Sequence, residues 1–330
     1  MALNTRITEF QLYNKTKLVL LSSGKIIHKR KNDSLEVSIQ ELSDFTPCIT
    51  KVRIYKENSV DQEILRKLNT KNIINVYERL SFNSVSLGKS HSLILRNGEA
   101  FSFGENIFGE LGDGTTTDRC SPIQIGGVLV GKEIVSISVG YKHSLALDSD
   151  RKVYAWGWNS YGKLGDGTTF DRHSPIQVSE GSILEGKNII SVSAGYEYSL
   201  ALDSDGNVYA WGWNGYGQLG DGTTTEKYPP IQVGGALVGK EIVSISAGLS
   251  HSLALDSDGN VYAWGWNSSP IQIGGALVGK DITSVSAGDS RFLALDLDGN
   301  VYTWGDNLGG KLGDGTTTTR HSPTKINLNN

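Results

Sequence analysis

Two cysteines, Cys48 and Cys120, are all that 330 residues contain. They show neither the paired spacing of a disulfide framework nor that of a structural zinc site, which suits a chain that folds in a reducing compartment. Proline is scarce at seven residues, and five of them, Pro122, Pro175, Pro230, Pro270 and Pro323, recur at one place in a repeated pattern, where a fourth strand is expected to start. No apolar run approaches the roughly 20 residues that cross a bilayer, and no secretory hydrophobic region opens the chain, so a soluble, cytoplasmic protein is expected. Helical periodicity is missing throughout the repeated region, which excludes helical bundles and helical solenoids.

What is there is a repeat. HSLALDSD at 143–150, YSLALDSDG at 198–206 and HSLALDSDG at 251–259 each run on into VYAWGWN, at 153–159, 208–214 and 261–267. Anchored on Leu95, Leu147, Leu202, Leu255 and Leu295, the copies step by 52, 55, 53 and 40 residues. Within the copy that starts at Ile189, four extended segments follow in order: IISVSA, YSLAL, NVYAW and PIQV. The first and third alternate side-chain class with period two, and Gly or Asp-Gly separates them, so each copy reads as a four-stranded antiparallel sheet. A sheet of this size must bury its faces on its own copies, and about 50 residues per four strands points to a propeller blade.

Aligning Gly24 with Gly259 sets Ile7, Phe10, Leu18, Leu20 and Ile26 on Ile242, Ile245, Leu253, Leu255 and Val261, so residues 6–27 form a degenerate first copy. From Leu20 to Leu95 is 75 residues, which implies an insertion from about Lys31 to Leu80. Within it, Ser59-Val60-Asp61-Gln62 has capping-box spacing, and Val60, Ile64, Leu65 and Leu68 share one helical face, so a short helix is expected there. Lys71–Val76 resembles Lys187–Val192, which leaves six and seven blades both open. The expected organisation is an all-β propeller of six or seven four-stranded antiparallel blades over 1–330. Its degenerate blade and short helical insertion lie in 1–81, and its regular repeats in 82–330.

Residues 1–84 hold 14 Lys or Arg against 9 Asp or Glu, while the remainder holds 17 against 26. The acidic repeats do not suit DNA phosphates, and His28-Lys29-Arg30-Lys31 reads as a solvated hairpin edge. Asp-Ser-Asp-Gly at 203–206 and 256–259 lacks the third acidic position and the twelfth-residue Glu of a calcium loop, so it reads as a hairpin turn. Gly-Asp-Gly-Thr-Thr at 112–116, 165–169, 220–224 and 313–317 has no following Gly-Lys-Ser/Thr, and reads as a loop fastened by its Asp and Thr side chains. His91, His143 and His251 share a position that Tyr198 and Arg291 fill in other copies, which favours a structural role over a metal ring or catalytic base. In the pairs Trp156/Trp158, Trp211/Trp213 and Trp264/Trp266, the first ring is expected to stack on a neighbouring blade. The second, replaced by Asp306 and Glu105 in flanking copies, is left for a partner. No convergent acid, base and nucleophile exists, so no cofactor and no acid–base or nucleophilic chemistry are expected.

Ala194-Gly195, Ser199-Leu200-Ala201-Leu202, Gly206, Val208-Tyr209-Ala210-Trp211-Gly212, Asn214 and Gly217-Gln218-Leu219-Gly220 together resemble the repeat of the regulator of chromosome condensation family, over about 245 residues. The resemblance implies a propeller, usually of seven blades. The founding members are exchange factors for the small GTPase Ran. Relatives include scaffold domains, a plant ultraviolet photoreceptor, a secreted β-lactamase inhibitor, and bacterial effectors that engage host Ran or Rab GTPases. The chain departs from the founding group in lacking a basic chromatin tail and a wedge inside a regular blade. It departs from the photoreceptor in having Gly140-Tyr141-Lys142-His143 and Gly248-Leu249-Ser250-His251 where that protein has Gly-Trp-Arg-His-Thr. Near-identical adjacent copies suit a recent duplication and an effector delivered into a host cell.

One asymmetric partner is recognised where the copies differ. Two loop sets vary: Lys89, Tyr141, Lys142, Tyr196, Glu197, Leu249 and Asp289 after the first strand, and Asp118, Arg119, Phe170, Asp171, Arg172, Glu226, Lys227, Tyr228 and Arg320 after Gly-Asp-Gly-Thr-Thr. Tyr141, Lys142, Phe170, Asp171, Arg172, Tyr196, Glu197, Tyr228 and Asp289 are the expected partner-binding residues, with aromatic and Arg anchors foremost. The expected function is binding of a Ran or Rab-type GTPase by a monomer, as exchange factor or recruiter. The alternative is a non-catalytic scaffold or protein inhibitor. Between Ser268 and Ser269 the 13 residues that match Tyr161 to His173 are absent, which reads as a tolerated surface deletion, with a partner-admitting notch as the other possibility.

Overall fold

A computed structural model describes residues 84–328 except 179 and 267, together with the backbone of four strands nearer the N-terminus. The chain divides into two compact units, Met1–Ser81 and Phe82–Asn330. In the first, β1 (Thr8–Leu12), β2 (Thr16–Leu20), β3 (Lys25–Lys29) and β4 (Ser34–Ser38) pair in order as an antiparallel sheet. The degenerate copy thus has a full set of strands. Because β4 pairs along β3 from Lys29↔Ser34 to Lys25↔Ser38, part of the stretch assigned to the insertion belongs to this sheet. The expected helix over 59–68 lies outside the described residues.

The second unit contains five antiparallel sheets of four strands each. Blade A has β5 (Ser84–Leu87), β6 (His91–Arg96), β7 (Glu99–Gly104) and β8 (Arg119–Gln124). Blade B has β9 (Ile134–Val139), β10 (His143–Asp148), β11 (Val153–Gly157) and β12 (Arg172–Gln177). Blade C has β13 (Ile189–Ala194), β14 (Tyr198–Asp203), β15 (Val208–Gly212) and β16 (Lys227–Gln232). Blade D has β17 (Ile242–Ala247), β18 (Ser252–Asp256), β19 (Val261–Trp264) and a two-residue β20 (Ile271–Gln272). Blade E has β21 (Ile282–Ala287), β22 (Arg291–Asp296), β23 (Val301–Gly305) and β24 (Arg320–Lys325). Pro122, Pro175, Pro230 and Pro323 sit inside the fourth strands rather than at their starts, while Pro270 directly precedes the short β20. In blade B the pairing shifts between Ala155↔Ile176 and Gly157↔Arg172, so Pro175 falls where the edge strand makes no ladder bond.

Each blade packs its first two strands on the first strand of the next. The second strand explains how: in Leu145-Ala146-Leu147 the leucines face blade C and the alanine faces blade A, and all three are fully buried. Ala146 leaves room for Tyr154 and Trp156, which fill the A–B interface with Leu93, Leu95 and Ile137. The first tryptophans, Trp156, Trp211 and Trp264, are buried as expected.

A polar latch crosses each of the first three interfaces. The Glu110 carbonyl of blade A accepts Trp156 Nε1 at 2.8 Å and Ser144 Oγ at 3.0 Å from blade B. The Lys163 carbonyl accepts Trp211 Nε1 at 2.8 Å and Ser199 Oγ at 2.9 Å. The Gln218 carbonyl accepts Trp264 Nε1 at 2.8 Å and Ser252 Oγ at 3.0 Å. His91 Nε2 reaches Ser144 Oγ at 2.8 Å, His143 Nε2 reaches Ser199 Oγ at 3.0 Å, and Tyr198 fills the same role toward Ser252 at 2.9 Å. His91 and His143 are therefore inter-blade struts, whereas His251 meets the Phe292 ring at 4.2 Å instead of a serine.

The serine hydroxyl has one proton, and the loop carbonyl takes it. Each imidazole must then donate from Nε2, which leaves Nδ1 of His91 and His143 buried without a partner. Burial accordingly lowers the His91 pKa to about 4 and holds His143 well below 6.5. The unfolded chain binds these protons below pH 6.5 and the folded chain does not until about pH 4, so stability is lost as pH falls through that window. The urea midpoint is expected to drop between pH 7 and pH 5, and His91→Gln, which keeps a donor but cannot titrate, should remove about 2 kcal/mol of that drop. An unchanged pH dependence in the variant would rule out the strut as the titrating group.

Candidate functional site

Strands one and three of a blade run parallel, so the loop after strand one and the loop after strand three leave the sheet at the same end. The opposite end carries tight turns. There Asp148, Asp203, Asp256 and Asp296 each accept the Tyr154, Tyr209, Tyr262 or Tyr302 hydroxyl at 2.8 to 2.9 Å and a backbone N–H of the turn at 2.8 Å. These carboxylates are spent on the hairpin, as the turn reading requires. Among the described residues no group of His, Cys, Asp or Glu is placed to hold a metal ion.

At the loop end, a buried asparagine organises each long loop. Asn106 Nδ2 donates to Asp113 Oδ1 and to the Thr115 and Thr117 carbonyls at 3.1 to 3.2 Å, while its Oδ1 accepts the Leu111 N–H at 2.9 Å. Asn159, Asn214 and Asn307 repeat this role in blades B, C and E. The Asp of Gly-Asp-Gly-Thr-Thr takes the Thr amide and hydroxyl and a cation six residues on. Asp113 holds Arg119 Nε at 2.9 Å, Asp166 holds Arg172 Nε at 2.8 Å, Asp221 meets Lys227 Nζ at 3.0 Å, and Asp314 holds Arg320 Nε at 2.6 Å. Although burial opposes it, these hydrogen bonds lower the pKa of Asp113, Asp166 and Asp221.

This scaffolding absorbs three of the nine residues expected at the partner site. Arg172 is bound to Asp166, and Asp171 Oδ1 accepts the Asn159 N–H at 2.8 Å. Glu197 is buried and pairs with the buried Lys163 of blade B. Of the other six, Phe170, Tyr228 and Asp289 are exposed and Tyr141, Lys142 and Tyr196 are half-buried. Phe170 is 72% exposed and Tyr228 41%, the latter seated on Gly162. Gly162 has φ +73°, and a Cβ there would lie 2.6 Å from Tyr228 Cα, so only glycine lets the two blades meet. Tyr141 and Tyr196 stack with centroids 4.1 Å apart, Lys142 Nζ lies 4.6 Å over the Phe108 ring, and Lys89 Nζ lies 4.9 Å over Tyr141. Asp289 is exposed in the β21–β22 loop.

The second tryptophans join a rim of aromatic side chains. Phe108 stacks on Trp158 at 5.3 Å, Tyr161 approaches Trp213 at 6.2 Å, and Tyr216 lies 4.5 Å from Trp266. Phe108, Tyr161 and Tyr216 were not among the expected site residues, yet each precedes the Gly-x-Leu-Gly of its loop, a shared position that carried the signal. The face can therefore present flat apolar rings flanked by the Lys89 ammonium at blade A and by the Asp289 carboxylate at blade E, with the Lys142 ammonium between them answered by Glu105 at 3.8 Å.

Burial lowers the Lys163 pKa to about 6, so if Glu197 serves the interface rather than a partner, Glu197→Gln removes the counter-charge that favours its ammonium and leaves the amine buried without it. It should cost about 3 kcal/mol in urea denaturation at pH 7, and Lys163→Met with Glu197→Leu should recover most of it. Loss no larger than about 0.5 kcal/mol, the usual surface value, would return Glu197 to the partner surface.

The RCC1-like domain family matches residues 16–329. The chain is 35% identical to the Ultraviolet-B receptor UVR8 of Arabidopsis thaliana over 189 residues, 57% of this chain and 42% of the receptor. It thus spans less than half the length of that relative. Among solved structures, human WBSCR16 is similar with TM-score 0.67 and 27% identity, covering 74% of this chain and 67% of that one. Prp20p of Saccharomyces cerevisiae has TM-score 0.62 and 21% identity, covering 95% and 75%, a likeness of fold. With its sheets, latches and loops placed as above, this chain belongs to the RCC1-like domain family and is a protein-binding β-propeller.

Proposed function

We propose that the loop face engages a small GTPase of the Ran or Rab type and either speeds release of its nucleotide or recruits it. One observation carries this reading: what the copies share is consumed between blades, whereas Tyr141, Lys142, Tyr196, Phe170, Tyr228 and Asp289, where the copies differ, stay at the surface of one end. Family membership supports it, as does the study of Prp20p for binding to Gsp1p and histones. An exchange factor needs no acid, base or nucleophile, because it acts by binding the nucleotide-free conformation more tightly than the loaded one. Rings with few rotatable bonds are efficient anchors for such a partner.

Stopped-flow release of labelled GDP from a panel of Ran and Rab proteins tests the proposal. Acceleration by the full chain is expected, with Tyr141→Ala plus Phe170→Ala reducing it about tenfold or more, as two anchors of 1 to 2 kcal/mol would. Binding with an unchanged release rate would leave a recruiter or scaffold and sink exchange. No binding to any member would sink the GTPase reading.

A further inference from the structure

Trp266 stands apart from the other two second tryptophans. Trp158 and Trp213 are half-buried, whereas Trp266 is 75% exposed. The cause is in the sequence. Trp158 and Pro175 are 17 positions apart, but Trp266 and Pro270 only four, so blade D lacks the long loop that folds over this ring in blades B and C. The chain closes the gap by setting Ser268 where His173 stands in blade B. The Ser268 carbonyl accepts the Gly222 N–H at 2.7 Å, as the His173 carbonyl accepts that of Gly114 at 2.9 Å.

The same molecule shows what occupies the equivalent ring. In blade B the Lys163 ammonium lies 3.8 Å from the Trp158 ring centroid and pairs with Glu197, which belongs to the β13–β14 loop of the next blade. Lys163 comes from the loop that blade D has lost. Across the D–E interface the matching loop is Gly288-Asp289-Ser290, with Ser290 in the place of Glu197 and Asp289 beside it, exposed. The Leu249 N–H bonds the Gly288 carbonyl at 3.3 Å, which ties this loop to blade D. On the other side, the Tyr216 ring meets Trp266 at 4.5 Å and 43°, forming an open corner of two aromatic faces. Lys311, which holds in blade E the position of Lys163, is paired with Asp306 at 2.7 Å.

The geometry points to this corner as a docking pocket for one arginine side chain of a partner protein, its guanidinium stacked on Trp266 and Tyr216 and facing Asp289. It takes the position that Lys163 holds over Trp158. Charge chooses the occupant: two π faces and a free carboxylate favour a cation, and a planar guanidinium suits a ring better than an ammonium does. The inference deepens the protein-binding reading by naming the chemistry that a partner must present at blade D, and it does not need the partner to be a GTPase.

The test uses the full chain and the blocked pentapeptides Gly-Gly-Arg-Gly-Gly and Gly-Gly-Glu-Gly-Gly, followed by the indole N–H resonances. The Arg peptide should shift the Trp266 resonance, assigned by its loss in Trp266→Phe, with millimolar affinity, and the Glu peptide should not. Trp266→Ala, at an exposed position that leaves the fold intact, should weaken Arg-peptide binding about threefold to fivefold, and Asp289→Asn should weaken it in the same direction. Equal response to both peptides, or Arg binding indifferent to Trp266→Ala, overturns the pocket. Sedimentation in parallel covers a second occupant: a dimer dispersed by Trp266→Ala would assign the corner to another copy of this chain instead. Failure of every GTPase to bind would leave the peptide result standing, so the two readings fail separately.

Discussion

Three backbone carbonyls govern this structure. Those of Glu110, Lys163 and Gln218 each accept two buried donors from the next blade, an indole N–H and a serine hydroxyl. A buried carbonyl that lost both would forfeit about 1 to 3 kcal/mol, and the orphaned donors as much again. The loop must therefore close in one geometry, and the buried asparagine with its Asp and Thr partners fixes that geometry. Gly165 shows how tight it is: at φ +73°, its Cβ would stand 2.8 Å from Trp211 Nε1. Blade D is the natural control. Its loop is missing, and at the D–E interface the serine is missing too. Phe292 replaces it, stacking 5.1 Å from Trp304 and 4.2 Å from His251. Once the acceptor is gone, polar donors have nothing to satisfy them and aromatic packing takes over.

A scaffold that spends its shared chemistry internally leaves recognition to the residues that the copies do not share. The turn end illustrates the point, since its repeated Asp and Tyr side chains satisfy one another. At the loop end, the rings and charges above the asparagine hubs are free to vary because the hubs, not the tips, hold the loop. Lys89 lies at blade A, Lys142 is answered by Glu105 at 3.8 Å, and Asp289 lies at blade E, so the charges differ from blade to blade although the frame is nearly periodic.

The strands, the turns and the buried first tryptophans were legible because they depend on local alternation and on a repeat that shows itself. The fastened loop was legible in part: Asp and Thr of Gly-Asp-Gly-Thr-Thr could be assigned, but the Asn seven residues before the Asp could not, since its partners lie on both sides of the loop and only the closed fold brings them together. Arg172 looked like an anchor because Arg at a variable position often is one, and the six-residue return to Asp166 is invisible without the turn between. Glu197 had the same difficulty across blades, its partner being 34 positions away. Phe170 and Tyr228 reach solvent as expected, because nothing at their positions offers them a pocket.

Near-identical copies raise a further problem, which blade wins as neighbour, and a buried position whose charge differs between copies bears on it. Glu110 and Gln218 each turn a side-chain oxygen back to a loop amide, from Phe108 at 2.8 Å and from Tyr216 at 3.0 Å. Lys163 has no acceptor to offer and reaches across to Glu197 instead. Burial raises the Glu110 pKa against the opposing charge of Lys142, which stands opposite it, and opposite Gln218 the repeat sets the neutral Ser250. Packing blade B against blade D would bury the Lys163 ammonium facing Ser250 and strand Glu197, an arrangement that costs several kcal/mol. Hydrophobic matching alone cannot separate the two packings, because Leu200 and Leu253, or Ala201 and Ala254, are the same residues in the same places. The buried pair adds little net stability, but it makes the correct blade order the one without an unpaired charge.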